Sequence, residues 1–439
     1  MNRRDLLATG SALLTAGVAG CNAPKNSDPA PDETKTVDGG AGTADGEVGT
    51  ADEWPMFLYD SAHQRDFSSE GIAVEEPSVR WSSETDDAIW SSPVIADGTL
   101  YIGSYDGHLY ALDADTGERL WRYRTGDRID GSPAVANGTV FFGSFDRNVY
   151  ALDADTGEQR WMYGSSGIVR SSPSVADGVV YIGTHCRTEE CNAYYDVRWP
   201  ERGGVYALDA DTGALRWRYE AGDGVISSPA IVDGTVYVGS SDTTMAALDA
   251  DTGETRWRRE TGGPIMSSPV RVDDRVVFGN VSGELYSLAA ADGSVQWSFD
   301  ANQRGANGVQ LPVVVTGTPV VVDGTAYVGA MVPGDDIRGK LYAISVADGT
   351  HEWSESPFGQ AVGSSAVVVD DVVYFGSHLL ESSADAESGL YAVDTDGATR
   401  WEHVVSGEDY NGFGSSPAVV GTTLYIGSTD GNVYAFDLG

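Results

Sequence analysis

The sequence predicts an all-β fold, an eight-bladed β-propeller of four-stranded antiparallel blades closed by the N-terminal strand around Trp81. Three observations predict it. A unit from Ser91 to Trp121 returns from Gly131 to Trp161 and again from Ser171, and a fixed period of about forty residues marks a repeat architecture. Each unit holds three or four short β-type runs separated by Asp-Gly, Asn-Gly or Thr-Gly turns, which is one small antiparallel sheet. Tryptophans end the units in phase, at Trp81, Trp121, Trp161, Trp217, Trp257, Trp297, Trp353 and Trp401.

The chain of 439 residues carries 66 Asp and Glu against 27 Lys and Arg, a formal net charge of −39. Nucleic acid and anionic membrane surfaces are poor partners for such a chain. Its lysines are Lys25, Lys35 and Lys340. Abundant Val, Ile, Leu, Tyr and Trp separate it from an acidic disordered tail. The balance predicts a folded halophilic protein, of archaeal origin, whose surface stays hydrated where the Debye length shrinks to roughly 3 Å.

The N-terminus reads as an address. Arg3 and Arg4 precede a short apolar run ending at Gly20, too short to span a bilayer and laid out as a twin-arginine export signal over residues 1–20. Val18-Ala19-Gly20-Cys21 resembles a lipoprotein cleavage site, with Cys21 lipidated. Residues 21–53 are rich in Asp, Gly, Thr, Ala and Pro and cannot bury enough apolar surface to offset their ordering entropy, so a flexible acidic tether is expected. The propeller is expected over 54–439.

A Ser-Ser-Pro-type motif opens each repeat, at Pro93, Pro133, Pro173, Pro229, Pro269, Pro319 and Pro417, with Ser364-Ser365-Ala366 as the variant. The last repeat begins at Ser415 and stops after three strands without its tryptophan. Trp81 has no strands of its own before it. The two halves complete one blade, and closure leaves only short, protected edges.

With the strands of a blade lettered A to D from the channel outward, the A–B and C–D turns share one face and stay short. Insertions fall on the other face: His185 to Gly203, Asp300 to Val315, Val332 to Gly339, Leu379 to Ser388 and His403 to Phe413. Partner contacts are expected on this decorated face.

The residue before each opening motif should ring the channel mouth there: Trp90, Asp130, Arg170, Ile226, Met266, Thr316, Gly363 and Gly414. Asp130 and Arg170 fall on adjacent blades, as a structural ion pair or a ligand contact. Trp90 is either a stacking platform or a plug. His185 and His378 share a register at the end of strand B, but on blades four apart, which excludes a shared metal. Asp113-Ala-Asp115-Thr-Gly117 and its copies lack a full calcium ligand set and suit tight turns. No catalytic residue and no metal ligand is assigned.

Cys186 and Cys191, both in the third-blade insertion, read as a disulfide in an exported protein. Asn137 and Asn280 begin glycosylation sequons, although Asn-Gly is also what the turn at Asn137 needs.

The stretch Ala111 to Trp121 resembles the tryptophan-docking motif of the quinoprotein (PQQ-type) β-propeller repeat family, as do Ala151 to Trp161, Ala207 to Trp217 and Ala247 to Trp257. Trp54-Pro55-Met56-Phe57, with Asp60, is similar to that family's lead-in. The resemblance covers Trp54 to the C-terminus and implies that each tryptophan wedges between blades, with gross stabilisation of at most about 4–6 kcal/mol per residue. Alcohol-oxidising members hold a quinone between a tryptophan and a disulfide of adjacent cysteines, with calcium and an aspartate base. No two cysteines here are adjacent.

In layout, the chain resembles the lipoprotein branch of the family found in the outer-membrane β-barrel assembly machinery. An archaeon has no outer membrane, so what carries over is a rigid disc offering loops and edges to other proteins. The expected function is a membrane-tethered, extracytoplasmic, non-catalytic protein-binding scaffold, monomeric, with membrane or cell-surface proteins as partners and no cofactor. The alternative is a quinoprotein dehydrogenase acting on an alcohol or sugar with PQQ and calcium.

Overall fold

The computed structural model describes residues 55–58, 60, 76–185, 203–304, 310–311, 313–332, 338–356, 358–359, 362–378, 388–405 and 412–439. These all lie in one compact unit, Asp45–Gly439. The export signal, Cys21, Trp54, Cys186, Cys191 and most of the third-blade insertion lie outside the described residues.

The strands form eight four-stranded antiparallel sheets. Blade 1 runs Val94–Ala96, Thr99–Gly103, His108–Asp113 and Arg119–Arg124, and blades 2 to 7 repeat that order. Blade 8 takes Ala418–Val420, Thr423–Gly427 and Asn432–Asp437 from the C-terminus and its outer strand, Ser78–Glu84, from the N-terminus. The inner strands touch in a closed cycle, with Val94–Ala96 meeting Ala134–Ala136 on one side and Ala418–Val420 on the other. All-β, eight blades and closure at Trp81 are as the sequence predicts.

The Ser-Ser-Pro motif has a physical reason. The backbone N–H of its second residue donates to the side-chain hydroxyl of the same residue one blade on. The chain of bonds runs Ser92, Ser132, Ser172, Ser228, Ser268, Thr318, Ser365, Ser416 and back to Ser92, each 2.9–3.2 Å long. All eight residues are buried. The first serine works within its own blade: the Gly103 N–H donates to Ser91 Oγ at 3.1 Å, and the Gly427 N–H to Ser415 Oγ at 2.7 Å. One serine therefore ties strand A to strand B, and the next ties the blades to one another.

The outer ladder slips by one residue beside each tryptophan; Ala111 pairs with Trp121 but Leu112 with Arg119. Such a bulge re-aims side chains. It sends the Trp121 indole to the next blade, where Nε1–H donates to the Ala154 carbonyl at 3.0 Å. There the ring lies on Gly157, whose φ is 71° and where a Cβ would stand 2.8 Å from the indole. Trp81 repeats this on blade 1, with Ala114 and Gly117, across the closure. The bulged arginines turn to the C–D turn aspartates: Arg160 bonds Asp153 at 2.8 Å and Arg216 bonds Asp209 at 2.9 Å. The same aspartates accept from the turn threonines, as Asp113 does from Thr116 N–H and Oγ1–H.

The A–B hairpins all turn through a positive-φ residue, from Asp97 at 48° to Gly421 at 58°, as a primed two-residue turn demands. The lead-in segment lies in the channel. The Pro55 carbonyl accepts from the Val135 N–H of blade 2 at 2.7 Å. Leu58, 5% exposed, joins the cluster of Val320, Ala366 and Val368 from the inner strands of blades 6 and 7, on the far side of the ring.

The insertion between Val332 and Gly339 begins as a longer ladder, with Thr325–Val332 paired to Arg338–Ser345. The insertion before blade 6 carries a small ladder, Gln303–Arg304 with Gln310–Leu311.

Candidate binding site at the channel mouth

Each residue before an opening motif is half-buried between two buried neighbours, as Trp90 is between Ile89 and Ser91 and Arg170 between Val169 and Ser171. The eight positions thus form the ring at the mouth. A second ring follows from the residue two past the glycine of strand B: Tyr105, Phe145, His185, Ser241, Val281, Met331, His378 and Thr429. Its members bond back to the incoming chain, as the Tyr105 N–H does to the Ala88 carbonyl at 3.0 Å.

The two rings are unevenly furnished. Over blades 4 to 6 they carry Ile226, Met266, Thr316, Ser241, Val281 and Met331. Over blades 1 to 3 they carry Trp90, Asp130, Arg170, Tyr105, Phe145 and His185. Arg170 Nε donates to Asp130 Oδ2 at 2.5 Å, and the Tyr105 hydroxyl donates to Asp130 Oδ1 at 2.6 Å. Asp130 is 9% exposed and Arg170 38%. Burial and the Asp130 carboxylate push the Tyr105 phenol well above its usual range, so it stays a donor. The same carboxylate holds the Arg170 guanidinium charged. Arg128 lies over two rings, 4.9 Å from Tyr105 and 4.2 Å from Phe145.

Gly363 and Gly414 are not gaps in the mouth ring. A Cβ on Gly414 would stand 2.8 Å from the Trp90 indole, and one on Gly363 would stand 3.2 Å from His378 Cε1. The glycines make room for these two rings, which meet edge to face at 4.8 Å. His378 is 6% exposed, and its Nδ1 has no hydrogen-bond partner among the described residues. Burial lowers its pKa to about 4. His185 packs on Gly224, also with Nδ1 unpartnered among the described residues; burial lowers its pKa, against the opposing Asp223 charge and with a smaller push from Arg170. The two histidines stand on blades 3 and 7, four apart.

Asn137 is exposed at the tip of its hairpin on the plain face, with φ 50°. Asn280 is fully buried, its amide bonded to Glu284 at 3.0 Å. Among the described residues no group of three or more His, Cys, Asp or Glu could hold a metal, and no helix is long and apolar enough to cross a membrane. Reading the sequence for breaks in the first ring finds Trp90, Asp130 and Arg170 but misses Tyr105, Arg128 and Phe145. The register that pairs His185 with His378, followed round every blade, points to Tyr105 and Phe145 as well.

Tryptophan-docked blades closed by strand exchange between the chain ends define a PQQ-type propeller. A family model described as outer membrane protein assembly factor BamB matches residues 71–129, 106–194, 197–331 and 315–439, and the chain belongs to that family. No curated protein matches it in sequence. Among solved structures it is similar to BamB from Moraxella catarrhalis, with a TM-score of 0.62 and 18% identity over 82% of this chain and 100% of that one. It is similar to the quinohemoprotein alcohol dehydrogenase from Comamonas testosteroni, with a TM-score of 0.70 and 18% identity over 89% and 81%. A computationally designed protein, Ika8, also matches, with a TM-score of 0.62 and 16% identity over 81% and 98%. Likenesses at these identities are of fold.

Proposed function

We propose that the chain is a membrane-tethered, extracytoplasmic propeller lipoprotein, anchored through Cys21, that acts as a non-catalytic platform for membrane or cell-surface proteins. The observation that carries this reading is one-sidedness. Chain insertions and the contact-forming side chains of the mouth share one face, while the hairpins of the other are reduced to the residues their turns require. Membership of a family described as an assembly factor supports the same reading.

Likeness to an alcohol dehydrogenase raises the second reading, a quinone with calcium. The mouth residues do not fit that pair. Each oxygen of Asp130 already accepts a hydrogen bond, one from Tyr105 and one from Arg170, which orients the carboxylate toward the protein's own donors. One face of Trp90 lies on Gly414. The sequence has no adjacent cysteines to cover a quinone.

Incubation of the folded protein with PQQ and calcium in high salt, followed by quinone titration and a dye-linked alcohol assay, separates the readings. The platform reading expects neither stoichiometric binding nor turnover; tight binding with turnover overturns it.

A further inference from the structure

We propose that the mouth sector formed by Trp90, Tyr105, Arg128, Phe145 and Arg170 is a receptor for a carboxylate carried on an extended peptide segment of a protein partner. This rests on the platform reading and names the chemistry of its contact. The donors decide the sign. Arg170 spends only Nε on Asp130, so among the described residues its two terminal nitrogens have no acceptor. The exposed Arg128 guanidinium is held by ring faces alone and makes no hydrogen bond to the described residues. Each Asp130 oxygen already accepts one hydrogen bond, and the single Tyr105 O–H is donated to it, so the guanidinium N–H groups are the donors that face outward.

Two guanidiniums, Arg128 and Arg170, stand in this sector beside the Asp130 and Asp127 carboxylates, so the sector is close to neutral on a chain whose total is −39. On the outer strands Arg160, Arg216 and Arg256 are closed by Asp153, Asp209 and Asp249, while the exposed Arg119 and Arg124 have, among the described residues, no acid partner and no aromatic rim beside them to form a sector. Guanidinium forks bind carboxylates through paired charge-assisted hydrogen bonds. Direct contact of this kind persists in salt that screens long-range attraction. The sector is spread along the rims of three blades and flanked by aromatic faces, which suits a segment laid across it.

The test uses the full chain and a fluorescently labelled, end-blocked peptide carrying one glutamate between two phenylalanines, with its glutamine counterpart. Binding is followed by anisotropy. The glutamate peptide is expected to bind about tenfold or more tighter than the glutamine one, the scale of a hydrogen-bonded charged pair. Arg128→Gln is expected to erase most of that difference with the melting temperature unchanged, while Arg119→Gln, on the outer strand of blade 1, leaves it intact. Arg170→Gln should do the same as Arg128→Gln, but it also unpairs Asp130. If that variant does not fold, Arg128→Gln alone decides between the outcomes.

Equal affinity for the two peptides, or an unchanged preference in Arg128→Gln, overturns the proposal. So does benzoate competing at the peptide's own concentration, which would make the ligand a small free acid. Proteins crosslinked to the decorated face in membranes without any glutamate preference would leave the platform reading standing and sink this one. Glutamate preference without captured protein would sink the platform reading, and the protein partner of this proposal with it.

Discussion

Ser268 offers its hydroxyl to the Ser228 N–H at 2.9 Å, and both residues are buried. Ser268→Ala leaves that N–H without an acceptor, so it should cost about 1–3 kcal/mol. Thr318→Ser keeps the hydroxyl and loses one buried methyl, so it should cost about 0.5–1.5 kcal/mol, less than Ser268→Ala. Urea denaturation of both variants checks the pair.

His378 carries a pH dependence. Its folded pKa, about 4, lies below the ordinary 6.5, so the unfolded chain takes up the proton first. Stability is full above about pH 6.5 and drains as the pH falls toward 4. The imidazole NMR shift should stay flat down to pH 5, and His378→Phe should flatten the stability profile over that window. At this scale the sequence reveals the ring positions, because a repeat turns position into geometry. It does not reveal that His378 fills the space at Gly363 and Trp90 the space at Gly414, since the first depends on how strand B ends within blade 7 and the second on a side chain crossing from blade 1 to blade 8.

The element that holds neighbouring blades together is the tryptophan wedge. Gly98 and Gly157 separate its two demands, backbone and packing. Both have positive φ, 73° and 71°, but a Cβ meets nothing within 4 Å at Gly98 and the Trp121 ring at 2.8 Å at Gly157. Gly98→Ala should cost about 1–2 kcal/mol from its backbone conformation alone. Gly157→Ala should cost a further 1–3 kcal/mol or so from overpacking. Thermal melts of the two variants measure the difference, and equal costs would remove the wedge from the account.

The Arg-Trp and Asp-Thr-Gly patterns are visible in the sequence, but the bulge that gives each its partner appears only in the ladder register. The lead-in is legible as a family motif. Its place in the channel is not, because Pro55 and Leu58 find their partners on blades far along the chain.

Across the whole molecule, two circuits close one ring. The outer circuit ends when Ser78–Glu84 pairs with Asn432–Asp437, and the inner one when the Ser416 N–H reaches Ser92. Regularity of this kind encodes fold, and a designed protein reaches the same architecture. Function is left to the departures from it, and these gather on one face. A photocrosslinking residue placed at Thr316 on the mouth, and in a second variant at Asn137 on the plain face, tests that directly in intact membranes. Specific protein adducts are expected from position 316 and background from position 137. Equal capture from both faces, or capture from position 137 alone, would contradict it.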